Sequence, residues 1–194
     1  TQYRMHPTIA EFPARHFYRN KLLSGVAAPE RPSPPGFQWP DPQRPVCFVP
    51  VSGPERSYEH SLYNENEIKS VRMCCVQLLS AGLPATSIGV ITPYRAQVQR
   101  IREDFKRSDP VIDYCLPAVE VASIDSYQGR EKEVIIFSTV RSNSERRVGF
   151  TSDTTRINVA FTRARRGFIV IGDPRTLESD KTTWRKWLRW TQRA

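Results

Sequence analysis

Residues 88–97, Ile88-Gly89-Val90-Ile91-Thr92-Pro93-Tyr94-Arg95-Ala96-Gln97, carry the pattern that decides the fold. A short apolar run ends at a proline, and Val98, Ile101 and Phe105 then recur at helical spacing. Such a run bounded by turn chemistry reads as a buried strand, and the stripe after it as an amphipathic helix. The same alternation continues downstream. Val119–Ile124 and Val134–Val140 read as strands separated by a turn at Gln128-Gly129, Arg156–Arg165 as a short helix, Phe168–Ile171 as a strand, and Thr182–Trp190 as a last helix. Strands that alternate with helices predict an α/β domain whose mainly parallel sheet is covered by helices on both faces. In sheets of this kind ligands gather at the carboxyl ends of the strands, which is where a site is expected.

Upstream, Asn64-Glu65-Asn66-Glu67 has the form of a capping box, with Asn64 as N-cap, and Ile68, Val71, Cys75, Leu78 and Leu79 follow at helical spacing. Ile9 to Leu23 reads as short helix broken by Pro13. Between them, residues 29–54 hold nine of the sixteen prolines, which predicts a surface connection with at most one short strand, Val46–Val51.

The chain has 194 residues, a length suited to one domain, and its 39% hydrophobic and 25% charged residues argue against disorder. No apolar run approaches a membrane span and no signal-peptide pattern is present. The net charge is +9, and 23 of the 29 basic residues are Arg, whose planar fork suits phosphates and whose face stacks on bases. Nucleic acid or a polyphosphate is therefore the leading partner. Cys47, Cys74, Cys75 and Cys115 form no Cys-x-x-Cys and lie near no His at ligand spacing, which argues against a zinc site and for a reducing compartment. The first residue is Thr1 rather than Met and a motif begins at once, so a piece of a longer protein is expected.

Four segments concentrate the chemistry. They are Gln2-Tyr3-Arg4-Met5-His6-Pro7, Ile91-Thr92-Pro93-Tyr94-Arg95-Ala96-Gln97, Ser123-Ile124-Asp125-Ser126-Tyr127-Gln128-Gly129-Arg130-Glu131-Lys132-Glu133, and Arg156-Ile157-Asn158-Val159-Ala160-Phe161-Thr162-Arg163-Ala164-Arg165-Arg166-Gly167. Taken singly the first two read more readily as a packed turn and an ordinary strand-to-helix connection. In the third, Gly129 can let backbone N–H groups approach an anion. In the fourth, Arg163, Arg165 and Arg166 crowd onto what reads as the end of a short helix, a repulsion that a bound anion would relieve, although a solvated basic face is the alternative.

In that order the four segments resemble the carboxyl-side motifs of superfamily 1 helicases. More narrowly, they are similar to the branch that includes the RNA helicase of nonsense-mediated mRNA decay and senataxin. The resemblance runs from Gln2 to about Pro174 and implies a RecA-like three-layer domain. Residues 1–194 would then be the second RecA-like domain of a motor whose first lies outside this chain. The resemblance further implies that Tyr3 stacks on adenine, with Gln2 in the same ATP-binding loop. Arg4 and Arg163 would be the catalytic arginines that reach the γ-phosphate. Gly129 would contact the γ-phosphate region and Glu131 the ribose hydroxyls, while Thr92, Pro93, Tyr94, Ser123 and Asp125 would line the path of a single strand. Gln2, Met5 and Asp125 retain a second reading as residues that only hold loop shapes. The chain departs from the branch pattern at Thr154-Thr155-Arg156 and at 144–148.

The sequence contains no Gly-x-x-x-x-Gly-Lys-Ser/Thr loop and no Asp-Glu pair ending an apolar strand. ATP and Mg²⁺ would therefore be held first by the preceding RecA-like domain, and this chain alone should not hydrolyse ATP. The resemblance implies 5′-to-3′ movement on single-stranded RNA, decay-factor proteins as further partners, no membrane, and a cytoplasmic location with a nuclear one as the alternative. A DNA helicase of the same branch and a non-catalytic nucleic-acid-binding module remain the competing readings.

Overall fold

The computed structural model describes residues 1–107 and 115–193. Five parallel strands form one sheet in the order β1-β7-β6-β4-β5: β1 Val46–Pro50, β4 Ile88–Thr92, β5 Glu120–Ser123, β6 Lys132–Ser138 and β7 Ala164–Gly172. Two short strands, β2 Arg56–Tyr58 and β3 Ser61–Tyr63, pair antiparallel as a separate hairpin. The helices are α1 Pro7–His16, α2 Glu65–Ser80, α3 Arg95–Arg107, α4 Thr154–Phe161, α5 Pro174–Leu177 and α6 Trp184–Arg193. The sheet lies between two apolar layers, as the alternation predicts, and this is the RecA-like arrangement that the resemblance implies.

Side-chain alternation along the strands builds both layers at once. Along β6, Ile135 and Phe137 join α1, α4 and α6 in one core, while Val134 and Ile136 join α2 and α3 in the other. Phe161, at the end of α4, meets the rings of Phe12, Phe137, Phe168, Trp184 and Trp187 within 6.5 Å, so the segment that precedes Arg163 is anchored in the first core. Burial of each such side chain favours the fold by roughly 1.5–3 kcal/mol.

Several expectations need correction. Pro13 does not break the first helix: α1 runs unbroken to His16 with Pro13 buried inside it. The one backbone bond that Pro13 cannot donate is outweighed by the apolar face of Ile9, Ala10 and Phe12. The proline-rich stretch does supply the single edge strand expected, but it is more than a surface connection. Trp39 is buried, donates through Nε1 to the Pro34 carbonyl at 2.9 Å, and lies where a side chain on Gly167 would have to stand.

The capping box is half right. Asn64 caps α2 by accepting from the backbone N–H groups of Asn66 and Glu67, but Glu67 does not return to Asn64. Its carboxylate is fully buried and accepts from Ser138 Oγ at 2.6 Å and the Val140 N–H at 2.9 Å. Gln97 Oε1 takes the Asn64 N–H instead, at 2.9 Å. Finally, the helix expected to reach Arg165 stops at Phe161, and Arg165 and Arg166 begin β7. The three arginines therefore do not share a helix.

Candidate functional site

The predicted residues separate to opposite ends of the sheet. β6 begins at Lys132 and β7 at Ala164, and these two are register partners, so Glu131 and Arg163 stand side by side at the amino ends of the strands. The Lys132 N–H donates to the Arg163 carbonyl at 3.1 Å, and the His6 N–H to the Arg165 carbonyl at 2.7 Å, which fastens the amino-terminal loop to the same edge. The residues to which the resemblance gives ATP contacts thus lie at the amino ends of the strands, away from the carboxyl ends where a site is expected. The β5–β6 connection passes over β4 with only a single 3-10 turn, Asp125–Tyr127, and delivers Gly129 and Glu131 to the far end. Tyr127 is buried in this crossing, with its hydroxyl where a Cβ on Gly89 would be, so the crossing needs glycine at that strand position.

At this edge Arg4 pairs with Glu131 through Nε and donates through Nη1 to the Thr162 carbonyl at 2.9 Å. Arg163 donates to the Val159 carbonyl at 2.9 Å and to Thr162 Oγ1 at 3.0 Å, and makes no ion pair among the described residues. Burial, with the positive charge of Arg4 next, lowers the pKa of Arg163, whereas hydrogen bonding from Arg4 holds Glu131 below the usual carboxylate range. A half-buried guanidinium with no carboxylate of its own, beside a second arginine, is disposed to accept an anion. Arg165 and Arg166 call for a bound anion less than their spacing suggests. Arg165 lies near Glu131 and Glu133, and Arg166 near Glu133, so their charge is largely answered inside the chain.

Gln2 shapes the loop: its Oε1 accepts from the Arg4 and Met5 N–H groups at 3.0 and 2.7 Å, and its Nε2 donates to the Met5 carbonyl and Ser24 Oγ. Tyr3, held in that loop, is 69% exposed and has Gly25 against its ring. Gly129 adopts φ +82° with open space around its α-carbon. Arg31, which the sequence did not single out, donates to the carbonyls of Arg4 and Tyr3 at 3.1 and 3.2 Å and steadies the same loop.

The second set collects at the carboxyl ends of β4 and β5, around a cleft of about 510 Å³ lined by Pro93, Tyr94, Arg95, Asp125, Phe150 and Arg156, among others. Thr92, expected on the strand path, is fully buried at the end of a central strand, with its hydroxyl 3.5 Å from the Tyr94 nitrogen, so its side chain is not on the cleft surface in this structure. Tyr94 is nearly buried and its hydroxyl receives Arg141 Nη1 at 3.3 Å. Asp125 is exposed but pairs with Arg156 at 3.0 Å, and that pairing raises the arginine's pKa. Ser123 bonds to Ser126 Oγ at 2.7 Å, which closes the turn ahead of Tyr127.

Two contributors to this cleft were not read from the sequence. The β2–β3 hairpin places His60, Ser61 and Leu62 on its wall, turning at Glu59 and His60 with φ 45° and 60°. Neither residue is the glycine or asparagine that marks such turns. Phe150 was also missed, for want of any periodic pattern around it. Among the described residues no group of three or more His, Cys, Asp or Glu could hold a metal ion, the four cysteines are unpaired, and no helix is long and apolar enough to cross a membrane.

Comparison with known proteins agrees with the fold. A family described as an AAA domain matches residues 1–175. The chain is 39% identical over 178 residues to a regulator of nonsense transcripts 1 homolog of Drosophila melanogaster, covering 91% of this chain and 15% of that protein. It is 37% identical over 186 residues to an ATP-dependent helicase of Saccharomyces cerevisiae, covering 94% of this chain and 19% of that protein. The chain therefore spans less than a fifth of the length of either relative. Among solved structures, the C-terminal domain of a possible DNA helicase from a Lactobacillus shares the fold, with a TM-score of 0.51 at 14% identity and 94% of each chain covered. From the match over residues 1–175, the chain belongs to the AAA-domain family.

Proposed function

We propose that residues 1–194 are the second motor domain of an ATP-dependent helicase that moves 5′-to-3′ along single-stranded RNA, with a role in nonsense-mediated mRNA decay. The observation that carries this reading is the pair Arg4 and Arg163, fixed side by side with Glu131 at one edge of the sheet. Phosphoryl transfer needs little from a protein beyond positioning and charge stabilisation, and an arginine finger contributes about 10³–10⁵ in rate. In this reading ATP and Mg²⁺ are held by a preceding RecA-like domain. Tyr3 takes the adenine face, Glu131 the ribose, Gly129 the γ-phosphate region, and Arg4 exchanges its bond to Glu131 for a phosphate oxygen. Closure onto ATP brings the arginines into place, and hydrolysis releases them, which couples turnover to movement. The cleft at the opposite edge of the sheet then advances on the strand.

The similarity to regulators of nonsense transcripts supports RNA as the substrate, decay factors as partners, and a cytoplasmic site of action. The test is a directional unwinding assay with the full-length protein on partial duplexes bearing 5′ or 3′ single-stranded tails of RNA or DNA. Unwinding of the 5′-tailed RNA, dependent on ATP, is expected, together with no ATP hydrolysis by the 194-residue chain alone. Activity confined to DNA would move the assignment to a DNA helicase. Strand binding without any response to nucleotide would leave only a binding module.

A further inference from the structure

We propose that Phe150 is a stacking platform for one unpaired base of the bound strand; the inference rests on the strand-binding reading of the cleft at the carboxyl ends of β4 and β5. Phe150 is 62% exposed, the one phenylalanine among the large hydrophobic side chains that stand open on the described surface. Leaving such a ring in water forgoes stabilisation that the fold collects from its other phenylalanines. The exposure is not loop fraying, because the turn that carries the ring is fixed on both sides.

Before it, Gly149 has φ +52°, and a Cβ there would stand 1.9 Å from Arg141 Nη1, so the chain runs hard against that guanidinium. After it, Thr151 is buried and its carbonyl receives Trp184 Nε1 at 2.6 Å, and Asp153 caps α4 through the Thr155 and Arg156 N–H groups. The ring itself lies 6.0 Å from Tyr94, tilted by 51°, and 5.6 Å from the Arg156 guanidinium, which Asp125 holds in turn. Ring and guanidinium form a rigid pair with more than half of the phenylalanine surface open to a further planar group.

Charge in the cleft points to a base rather than to a phosphate as the partner of this ring. Glu55 takes Arg141 through both Nε and Nη2, and Asp125 takes Arg156, whereas Arg95 is exposed and makes no ion pair among the described residues. One uncommitted cation serves a backbone phosphate beside the platform, and the attraction at Phe150 is to a π-face. Every base has such a face, so the contact does not select sequence.

The experiment measures binding of the full-length protein to 12-nucleotide oligo(U), oligo(A) and oligo(dT), and to a backbone of the same length without bases, over a range of salt. Phe150→Ala should weaken binding to the three base-bearing strands by about tenfold to a hundredfold. The slope against salt should stay as in the unmodified protein, because no phosphate contact is lost. Phe150→Trp should bind as the unmodified protein does, and the difference between Phe150 and alanine should vanish on the strand without bases. Equal binding by Phe150→Ala and the unmodified protein on every oligonucleotide overturns the inference, as does an equal loss on the strand without bases. An unmodified protein that binds none of the oligonucleotides overturns the strand reading as well, which separates the two failures.

Discussion

Tyr3 can stand open at the amino ends of the strands because residue 25 has no side chain: a Cβ there would lie 2.3 Å from the tyrosine ring. The ring is thus backed by glycine and free on its outer side, with Arg31 and Gln2 fixing the loop beneath it. Gly25→Ala should push the ring off this position. In the full-length protein we expect a rise of about five- to tenfold in KM for ATP with little change in kcat, a loss on the scale of one aromatic stacking contact. Steady-state kinetics checks it, and unchanged KM would show that the tyrosine does not hold adenine. At this scale the sequence was readable where residue type and spacing decide a local feature, while the roles given to Tyr3 and Arg4 come from the resemblance. It was not readable where a long-range partner decides the role. Nothing near Trp39 announces that Gly167, far along the chain, leaves space for it, and nothing local shows that Glu131 and Glu133 will answer Arg165.

The junction of α2 with the end of β6 shows the same limit for elements. Asn64 as N-cap was legible from its neighbours, but the fate of Glu67 depends on Ser138, Thr139 and Val140, which only the fold brings to it. Val140 itself has φ +70°, an unfavourable region for a β-branched residue, held there while its N–H serves the carboxylate. Burial pushes the Glu67 carboxyl up to about 7 despite these donors. The folded state therefore keeps a proton that an unfolded glutamate, near its ordinary 4.5, gives up. This contribution is complete below about pH 4.5 and is lost as pH rises towards 7, by about 3 kcal/mol at most. Glu67→Gln should flatten that decline, as read from urea midpoints of the chain between pH 5 and pH 8. An identical pH dependence in both proteins would contradict the assignment. The β2–β3 hairpin was invisible for a different reason, since its turn uses Glu59 and His60 where turn-forming residues would have flagged it.

Across the whole molecule, the alternation of strands and helices was enough to predict the layers, and the four ordered motifs all reach one end of the sheet or the other. Sequence order did not predict which end of the sheet each motif reaches. The short crossing from β5 to β6, with only the 3-10 turn Asp125–Tyr127, carries Glu131 away from Ser123 and Asp125, so one motif reaches both ends. The +9 charge is divided accordingly. Much of the arginine at the two ends is paired with carboxylates of this chain, whereas Arg163, like Arg31 of the amino-terminal loop, is a partly buried cation without one among the described residues, and Arg163 is the one beside Arg4 that the resemblance places at the γ-phosphate. The proposed motor turns on that residue. The most direct test is single-turnover ATP hydrolysis by the full-length protein carrying Arg163→Ala, with nucleotide binding measured on the same sample. Binding within a few-fold of the unmodified protein is expected, with hydrolysis slowed by about a thousandfold or more. Hydrolysis at close to the unmodified rate, with nucleotide bound, would contradict it.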